Sequence, residues 1–415
     1  MPKLPPRPEE LTRIAEQYGT PTYVYDASVL DDRIQTMRRY LDGLPTQLLY
    51  AMKANPNPFI LGRMREAGLG LDVVSPAEAL LAVHLGFDPE DLLYTANNLT
   101  DEEMHQMHRL GVRLNIGELS RLDRYGAAYP GSRVSVRLNP QVGAGHHKHV
   151  VTAGKTAKFG VPVEDLGAVL AVAAQHDLKI TGLHQHIGSG YKSAVEITAA
   201  VRVLLGAAEQ CPDLEYINFG GGFGIPYQEG EAPFDFSTFG EQVVEPLKQY
   251  VAASERPLTF MFEPGRFLVA EAGTLLMTVN TVKDTGDRVF AGTDSGFNHL
   301  VRPTMYAAHH EVYNLSNPDA SLMRYDVVGN ICETGDVFAG DRLVPEVREG
   351  DVLAVLDAGA YGMAMASTYN LRPLPAEVFL HADGTSALIR RRLTPEDLVR
   401  QYLNETVSAV PLHES

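Results

Sequence analysis

From about Thr46 the chain alternates short apolar or β-branched runs with longer amphipathic stretches. The runs end near Met52, Val74, Ala96, Ile116, Leu138, His186, Phe219 and Glu263, which marks eight candidate strands. Short runs that are apolar on both faces read as parallel strands buried on both sides. The intervening stretches carry helix-start signals. Ser75 precedes Pro76 and an Ala-, Glu- and Leu-rich segment to Leu85, and Thr100-Asp101 precedes Glu102–Leu110. Eight βα units in succession predict a (β/α)8 barrel over residues 30–270 rather than an open doubly wound sheet, which a miscount of one or two units would leave in play.

The pattern changes after about Ala270. Thr278–Val282, Arg288–Ala291, Val352–Leu356 and Ala376–Leu380 are short strand-like runs separated by turns bearing Asp, Gly and Pro. They predict a C-terminal, mainly antiparallel β domain over 271–415. The run Pro21–Tyr25 precedes the barrel pattern, and a strand from about 20–28 is expected to pair with that β domain. The fold class is therefore α/β plus β.

Composition narrows the function classes. The 415 residues are 45% hydrophobic and 21% charged, as expected of a globular enzyme of two domains. A formal net charge of -17 speaks against a nucleic-acid surface and against anionic membranes. The two cysteines, Cys211 and Cys332, make neither a disulfide framework nor a cysteine-based zinc site. With no apolar leader and no run near the ~20 residues of a membrane span, a cytoplasmic protein is expected.

On a barrel of this kind the C-terminal strand ends form the catalytic face, and the unusual residues fall there. Lys53 ends the first strand, in Tyr50-Ala51-Met52-Lys53-Ala54-Asn55, and Asp72 ends the second. A lysine desolvated at the rim of a core would present a neutral amine able to form a Schiff base. Arg137 lies near the end of the fifth strand, and His184 and His186 close the sixth. Gly220-Gly221-Gly222-Phe223-Gly224 follows the seventh, where backbone N–H groups could converge on a phosphate beside the fixed charge of Arg266. A plain tight turn would look the same. Glu263, ending the eighth, could keep the ring nitrogen of a pyridine cofactor protonated; alternatively it is a surface carboxylate paired with Arg266. No dinucleotide or nucleotide-triphosphate glycine motif is present. His184/His186, His146/His147/His149 and His309/His310 admit a metal reading, though no His-Glu-x-x-His pattern accompanies them. In the β-rich part Cys332 stands beside Glu333 in a polar turn, or is a buried small hydrophobe, and Asp357–Gly362 presents Tyr361.

Taken in order, Tyr-Ala-x-Lys-Ala-Asn, His-Ile-Gly-Ser, Gly-Gly-Gly-Phe-Gly, Glu-Pro-Gly-Arg, Cys-Glu-Thr-Gly-Asp and Gly-Ala-Tyr resemble the fold type III pyridoxal-phosphate decarboxylases. Within that family the chain is similar to the diaminopimelate decarboxylases, from about Pro21 to about Leu380. The resemblance implies pyridoxal 5′-phosphate held covalently by Lys53, with His186 stacked on the ring and Glu263 facing its nitrogen. It implies Ser189, Gly222, Arg266 and Tyr361 at the phosphate, with Asp72, Arg137, Gly221 and Gly224 counted in the same cofactor set and no metal.

The resemblance also implies a homodimer with shared active sites. Cys332, which would return a proton to Cα, and Glu333, which would hold the distal amine, would come from the partner subunit. Arg302-Pro303-Thr304-Met305-Tyr306 matches the segment with which the group grips its substrate; Arg302 and Tyr306, with Arg266, Glu333 and Tyr361, are the substrate candidates. Thr152, Gly154 and Lys158-Phe159-Gly160 fit the loop after the fifth strand. Thr334 stands where serine is usual in the family and Asn330 where proline often occurs.

The implied reaction is decarboxylation of meso-2,6-diaminopimelate to L-lysine. The rivals are a decarboxylase of the same fold acting on another amino acid with a distal amine, of carboxynorspermidine, D-diamino-acid or ornithine type, and an alanine-racemase-like enzyme, against which Glu263 argues. A non-enzymatic cofactor-binding barrel lacks the β domain, and a metal hydrolase would rest on the histidines alone.

Overall fold

The computed structural model describes residues 3–142, 153, 157–254 and 256–403. Within these the chain forms two compact units. One comprises Asp31–Pro226 and Gly230–Val269; the other comprises the described parts of Met1–Leu30, Tyr227–Glu229 and Ala270–Ser415.

The first unit is a closed parallel barrel. Its eight strands are Thr46–Ala51, Gly70–Val73, Leu92–Tyr94, Arg113–Ile116, Arg133–Asn139, Lys179–His184, Tyr216–Asn218 and Thr259–Phe262, each paired with the next. The barrel closes where Phe260, Met261 and Phe262 align with Thr46, Gln47 and Leu48. The strands are short and almost wholly buried, the mark of a parallel sheet covered on both faces. The helix-start signals act as their chemistry requires. The Ser75 hydroxyl accepts the Glu78 N–H at 3.3 Å, and Glu78 Oε2 takes the Val74 N–H at 2.8 Å. Thr100 and Glu103 form a reciprocal capping box, and Gly111 ends that helix at φ 78°, where a Cβ would be strained.

The second unit is a nine-stranded sheet. Its main path runs Val337–Pro345, Leu322–Val328, Val289–Thr293, Gly273–Asp284, Thr22–Asp26, Ala376–Leu380 and Ser386–Arg390. Val352–Val355 pairs with Gly273–Asp284 and with Val312–Asn314. The early strand Thr22–Asp26 is antiparallel to Gly273–Asp284 and parallel to Ala376–Leu380, so the sheet is mixed at its centre. Helix Pro8–Tyr18, which the strand pattern alone did not indicate, lays Leu11, Ile14 and Ala15 onto Val24, Leu276, Ala354, Leu356, Val378 and Leu380. Burying Leu11 and Ile14 is worth about 1.5–3 kcal/mol each, so this helix belongs to the core of the unit.

His299, 2% exposed, is held neutral by this unit. Its Nε2 faces the Pro373 carbonyl at 3.1 Å and must carry the proton; its Nδ1 accepts from the Ser295 hydroxyl at 3.0 Å. Burial pushes its pKa down to about 4, outweighing that carbonyl. A base depressed in the fold contributes stability that is complete above its unfolded value and lost as pH falls toward the folded one. Unfolding free energy from denaturant titration should therefore drop by about 2 kcal/mol through this residue between pH 7 and pH 5. A His299→Gln protein with the same pH slope as the parent would contradict it.

Candidate active site

Lys53 lies two residues past the strand it was expected to end. Strand Thr46–Ala51 stops at Ala51, and a 3-10 turn, Met52–Ala54, carries the side chain to the rim. The expected desolvated neutral amine is not what the fold provides. The Lys53 side chain is 40% exposed, and its Nζ lies 2.5 Å from Oδ2 of Asp72, whose carboxylate is fully buried. Asp72 is fixed from its other side by the Thr95 hydroxyl. The ammonium is thus partnered at the mouth of the barrel rather than stripped of water.

Across the barrel, Glu263 is 5% exposed and follows strand Thr259–Phe262. It is not a surface carboxylate paired with Arg266. His184 Nε2 lies 3.1 and 3.2 Å from its two oxygens, and Asn218 Nδ2 donates to Oε1 at 2.8 Å. Asn218 cannot turn over without losing the Gly220 N–H, which its Oδ1 accepts at 2.8 Å. Burial pushes the Glu263 pKa up, but His184, Lys53 and Arg137 together outweigh it and hold the carboxyl below its usual range. The carboxylate stays charged inside the barrel, as a partner for a protonated pyridine nitrogen must. Arg137, 7% exposed, lies over the Phe159 ring at 4.9 Å; burial lowers its pKa against the pull of Glu263, Asp72 and Glu118.

His186 is a neutral ring. Its Nδ1 accepts the Gly221 N–H at 3.2 Å, so a proton can sit only on Nε2. Burial, then Arg137 and Lys53, hold its pKa well below the ordinary histidine value. A neutral imidazole can lie flat on a planar ring without adding charge.

The glycine run is a cradle with no space for side chains. A Cβ at Gly221 would strike the Glu263 carbonyl, and one at Gly222, φ +109°, would strike the Gly188 carbonyl and the Tyr191 ring. Gly190 N–H and Tyr191 O–H donate to the Gly222 and Gly221 carbonyls, both at 2.8 Å, so those oxygens are engaged. Arg266 Nη2 donates to Ser189 Oγ at 3.1 Å beside this loop. The Gly220, Gly221 and Gly224 N–H groups are given to Asn218 Oδ1, His186 Nδ1 and the Tyr191 carbonyl, so what the loop offers a phosphate ester is close approach beside a hydroxyl and a guanidinium, and with these the residues present fit pyridoxal phosphate.

The barrel unit thus brings together Lys53, Asp72, Arg137, His186, Ser189, Gly221, Gly222, Gly224, Glu263 and Arg266. His184 and Asn218, which orient Glu263, were not singled out as its partners from sequence; their separations of 79 and 45 residues leave no local signal.

The remaining candidates lie in the β unit. Cys332 is exposed, not a buried hydrophobe, and its N–H donates to Asn370 Oδ1 at 2.9 Å. Glu333 accepts the Tyr369 hydroxyl at 2.7 Å. Asp336 ties their turn by taking the Ile331 N–H at 2.7 Å and the Phe297 N–H at 2.6 Å. Arg302 and Tyr306 bound a short helix, and Arg302 is 2% exposed. Tyr361 sits at φ 56°, a left-handed conformation rare for a bulky side chain.

The described histidines of the metal reading have other partners. His184 is bonded to Glu263, His309 to Arg342 and Glu311, and His310 to Arg302 and a carbonyl. Among the described residues no group of three or more His, Cys, Asp or Glu could hold a metal ion. His146, His147, His149, Thr152 and Gly154 lie outside the described residues. No described helix is long and apolar enough to cross a membrane.

A closed barrel with a rim lysine, a charged interior carboxylate and a glycine cradle defines the pyridoxal-phosphate class, and comparison with known proteins narrows it. The profile of the family described as "Pyridoxal-dependent decarboxylase, pyridoxal binding domain" matches residues 28–270. The diaminopimelate decarboxylase of Methanothermobacter thermautotrophicus is 40% identical over 402 residues, covering 94% of this chain and 93% of that protein. That of Escherichia coli is 36% identical over 407 residues, covering 94% and 96%. The crystal structure of diaminopimelate decarboxylase from Helicobacter pylori complexed with L-lysine superposes with a TM-score of 0.87 at 28% identity, covering 95% of this chain and all of that one. The chain belongs to the pyridoxal-dependent decarboxylase family, among the diaminopimelate decarboxylases.

Proposed function

We propose that this protein decarboxylates meso-2,6-diaminopimelate at its D-centre, releasing CO2 and L-lysine, as the last step in making that amino acid in the cytoplasm. The observation that carries the reading is the conjunction, in one chain, of the Lys53–Glu263 barrel cluster with Arg302–Tyr306 and Cys332–Glu333. Relatives at 36–40% identity over nearly the whole chain bear the name of that activity.

Pyridoxal 5′-phosphate, when bound, supplies an electron sink for the electron pair left at Cα as CO2 departs. The chain's own residues do the rest. Lys53 would hold the cofactor covalently through Nζ, which Asp72 directs at the barrel mouth. Glu263, held by His184 and Asn218, keeps a proton on the ring nitrogen. His186 orients the ring from one face. Gly222, Ser189, Arg266 and Tyr361 would anchor the phosphate. Cys332 Sγ returns a proton to Cα, Glu333 holds the distal ammonium, and Arg302 with Tyr306 receives the distal carboxylate.

A product assay over a panel of diamino acids tests the substrate. Turnover of meso-diaminopimelate should exceed that of L-lysine and L-ornithine by about 10²- to 10⁴-fold, because a buried cation left without its carboxylate is destabilised by about 3–5 kcal/mol. Preferred turnover of L-ornithine or carboxynorspermidine would overturn the substrate while leaving the family unaffected.

The active sites are shared in a homodimer. An exposed thiol and carboxylate bordered by Tyr369 and Leu371, 45% and 55% exposed, are what one copy would offer to a second. Mixing inactive Lys53→Ala and Cys332→Ala proteins under subunit exchange should restore about a quarter of parental activity, since half the dimers are mixed and each then holds one intact site. No recovery after demonstrated exchange would place Cys332 in the same subunit's site or in none.

A further inference from the structure

His310 is absorbed by neither the metal reading nor the reaction above, yet it is fully buried and held at both nitrogens. Nδ1 lies 2.8 Å from the Leu356 carbonyl, and Nε2 lies 2.8 Å from Arg302 Nη1. A carbonyl only accepts and a guanidinium only donates, so His310 is a neutral ring with its proton on Nδ1 and a lone pair aimed at Arg302. The backbone fixes this arrangement: the Leu356 N–H donates to the Glu311 carbonyl at 2.9 Å, just where strand Val312–Asn314 begins. Tyr227 supplies a second restraint. Its ring lies 4.6 Å from the Arg302 guanidinium carbon and meets the His310 ring edge-on, centroids 5.5 Å apart. Arg342 donates to the His310 carbonyl at 3.1 Å and to His309, with Glu311 3.7 Å away, and Asp357, the carboxylate that feels the Arg302 charge, accepts from Lys3 Nζ at 2.7 Å.

An arginine side chain has four rotatable bonds and binds a carboxylate best when its planar fork is already oriented. One terminal nitrogen bonded to a fixed acceptor and one face laid on a ring define that plane. We propose that His310 and Tyr227 are positioning residues that hold the Arg302 guanidinium ready for the substrate's distal carboxylate; this rests on the assignment of Arg302 made above. Neither touches the reacting atoms, so their loss should weaken binding and spare the chemical step.

The test is steady-state kinetics on the holoenzyme with meso-diaminopimelate, with cofactor content and thermal midpoint measured for each variant. His310→Leu keeps the bulk and removes the acceptor. It should raise KM about 10- to 100-fold, the worth of a hydrogen bond to a charged group, with kcat within about threefold of the parent. His310→Gln, whose amide oxygen can accept from Nη1, should restore most of the loss. Tyr227→Leu should raise KM about three- to tenfold by removing the ring face, and it carries the test if His310→Leu does not fold. In an Arg302→Ala background, His310→Leu should add nothing further. If Arg302→Ala raises KM while His310→Leu and Tyr227→Leu keep the parental value, the positioning role is overturned and Arg302 stands. If Arg302→Ala itself keeps the parental KM, the Arg302 assignment fails and takes the positioning role with it.

Discussion

Replacing Lys53 by alanine is expected to abolish turnover, on the order of 10⁴-fold or more, because the covalent hold on the cofactor is assigned to this amine. The 3-10 turn Met52–Ala54 puts this one amine at the rim, 2.5 Å from a carboxylate that cannot move, since Thr95 holds Asp72 from its other side. Loss of the ammonium leaves Asp72 buried without its cation, so some destabilisation should accompany the loss of activity. The half-exposed Lys53 makes that effect smaller than for a fully buried pair. The two effects separate by measurement. Borohydride reduction of the parent should fix the cofactor to the peptide containing Lys53, and the variant should take up no such label while retaining its barrel by circular dichroism. Label on a different lysine would sink the assignment whatever the activity.

Glu263→Gln should slow turnover on the order of 10²- to 10³-fold, as expected for loss of a preorganised electrostatic partner. The geometry gives a specific reason. Three N–H donors would converge on two carboxylate oxygens: His184 Nε2, Asn218 Nδ2 and the protonated ring nitrogen. Glutamine has the same shape but turns one acceptor into a donor, and Asn218 cannot flip to meet it without releasing Gly220. One donor must then be left unsatisfied in a buried site, and the ring nitrogen is the one able to lose its proton. Rate and cofactor absorbance against pH should both change. Turnover within about threefold of the parent would show that Glu263 serves only to hold His184.

The barrel was readable because its signals are local. Each strand is a short apolar run, and Ser75 and Thr100 announce helices within three residues of the groups they cap. The rim residues were readable because a barrel places its chemistry at strand ends. What escaped depends on contacts distant in sequence or on mixed patterns. Leu322–Val328 exposes Leu322, Met323 and Arg324 before burying Tyr325–Val327, so no alternation marks it as a strand. The three-residue segment Tyr227–Glu229, carried within the barrel stretch of sequence, belongs to the other unit, and nothing local says so. For Lys53 the sequence suggested desolvation, whereas the fold supplies a charge partner from the neighbouring strand. His309 and His310 looked like ligands side by side, but each is committed to its own arginine.

The glycine cradle has a consequence for how such a protein can change. Gly221 and Gly222 present no side chain for mutation to adjust, and any replacement there meets a neighbouring carbonyl. Those two positions can be broken but not retuned, so on the function proposed above drift or laboratory evolution would adjust cofactor retention at Ser189 and Arg266 beside them. A tolerance map of the barrel should show a silent block at the glycines, bordered by the few positions where affinity is negotiable.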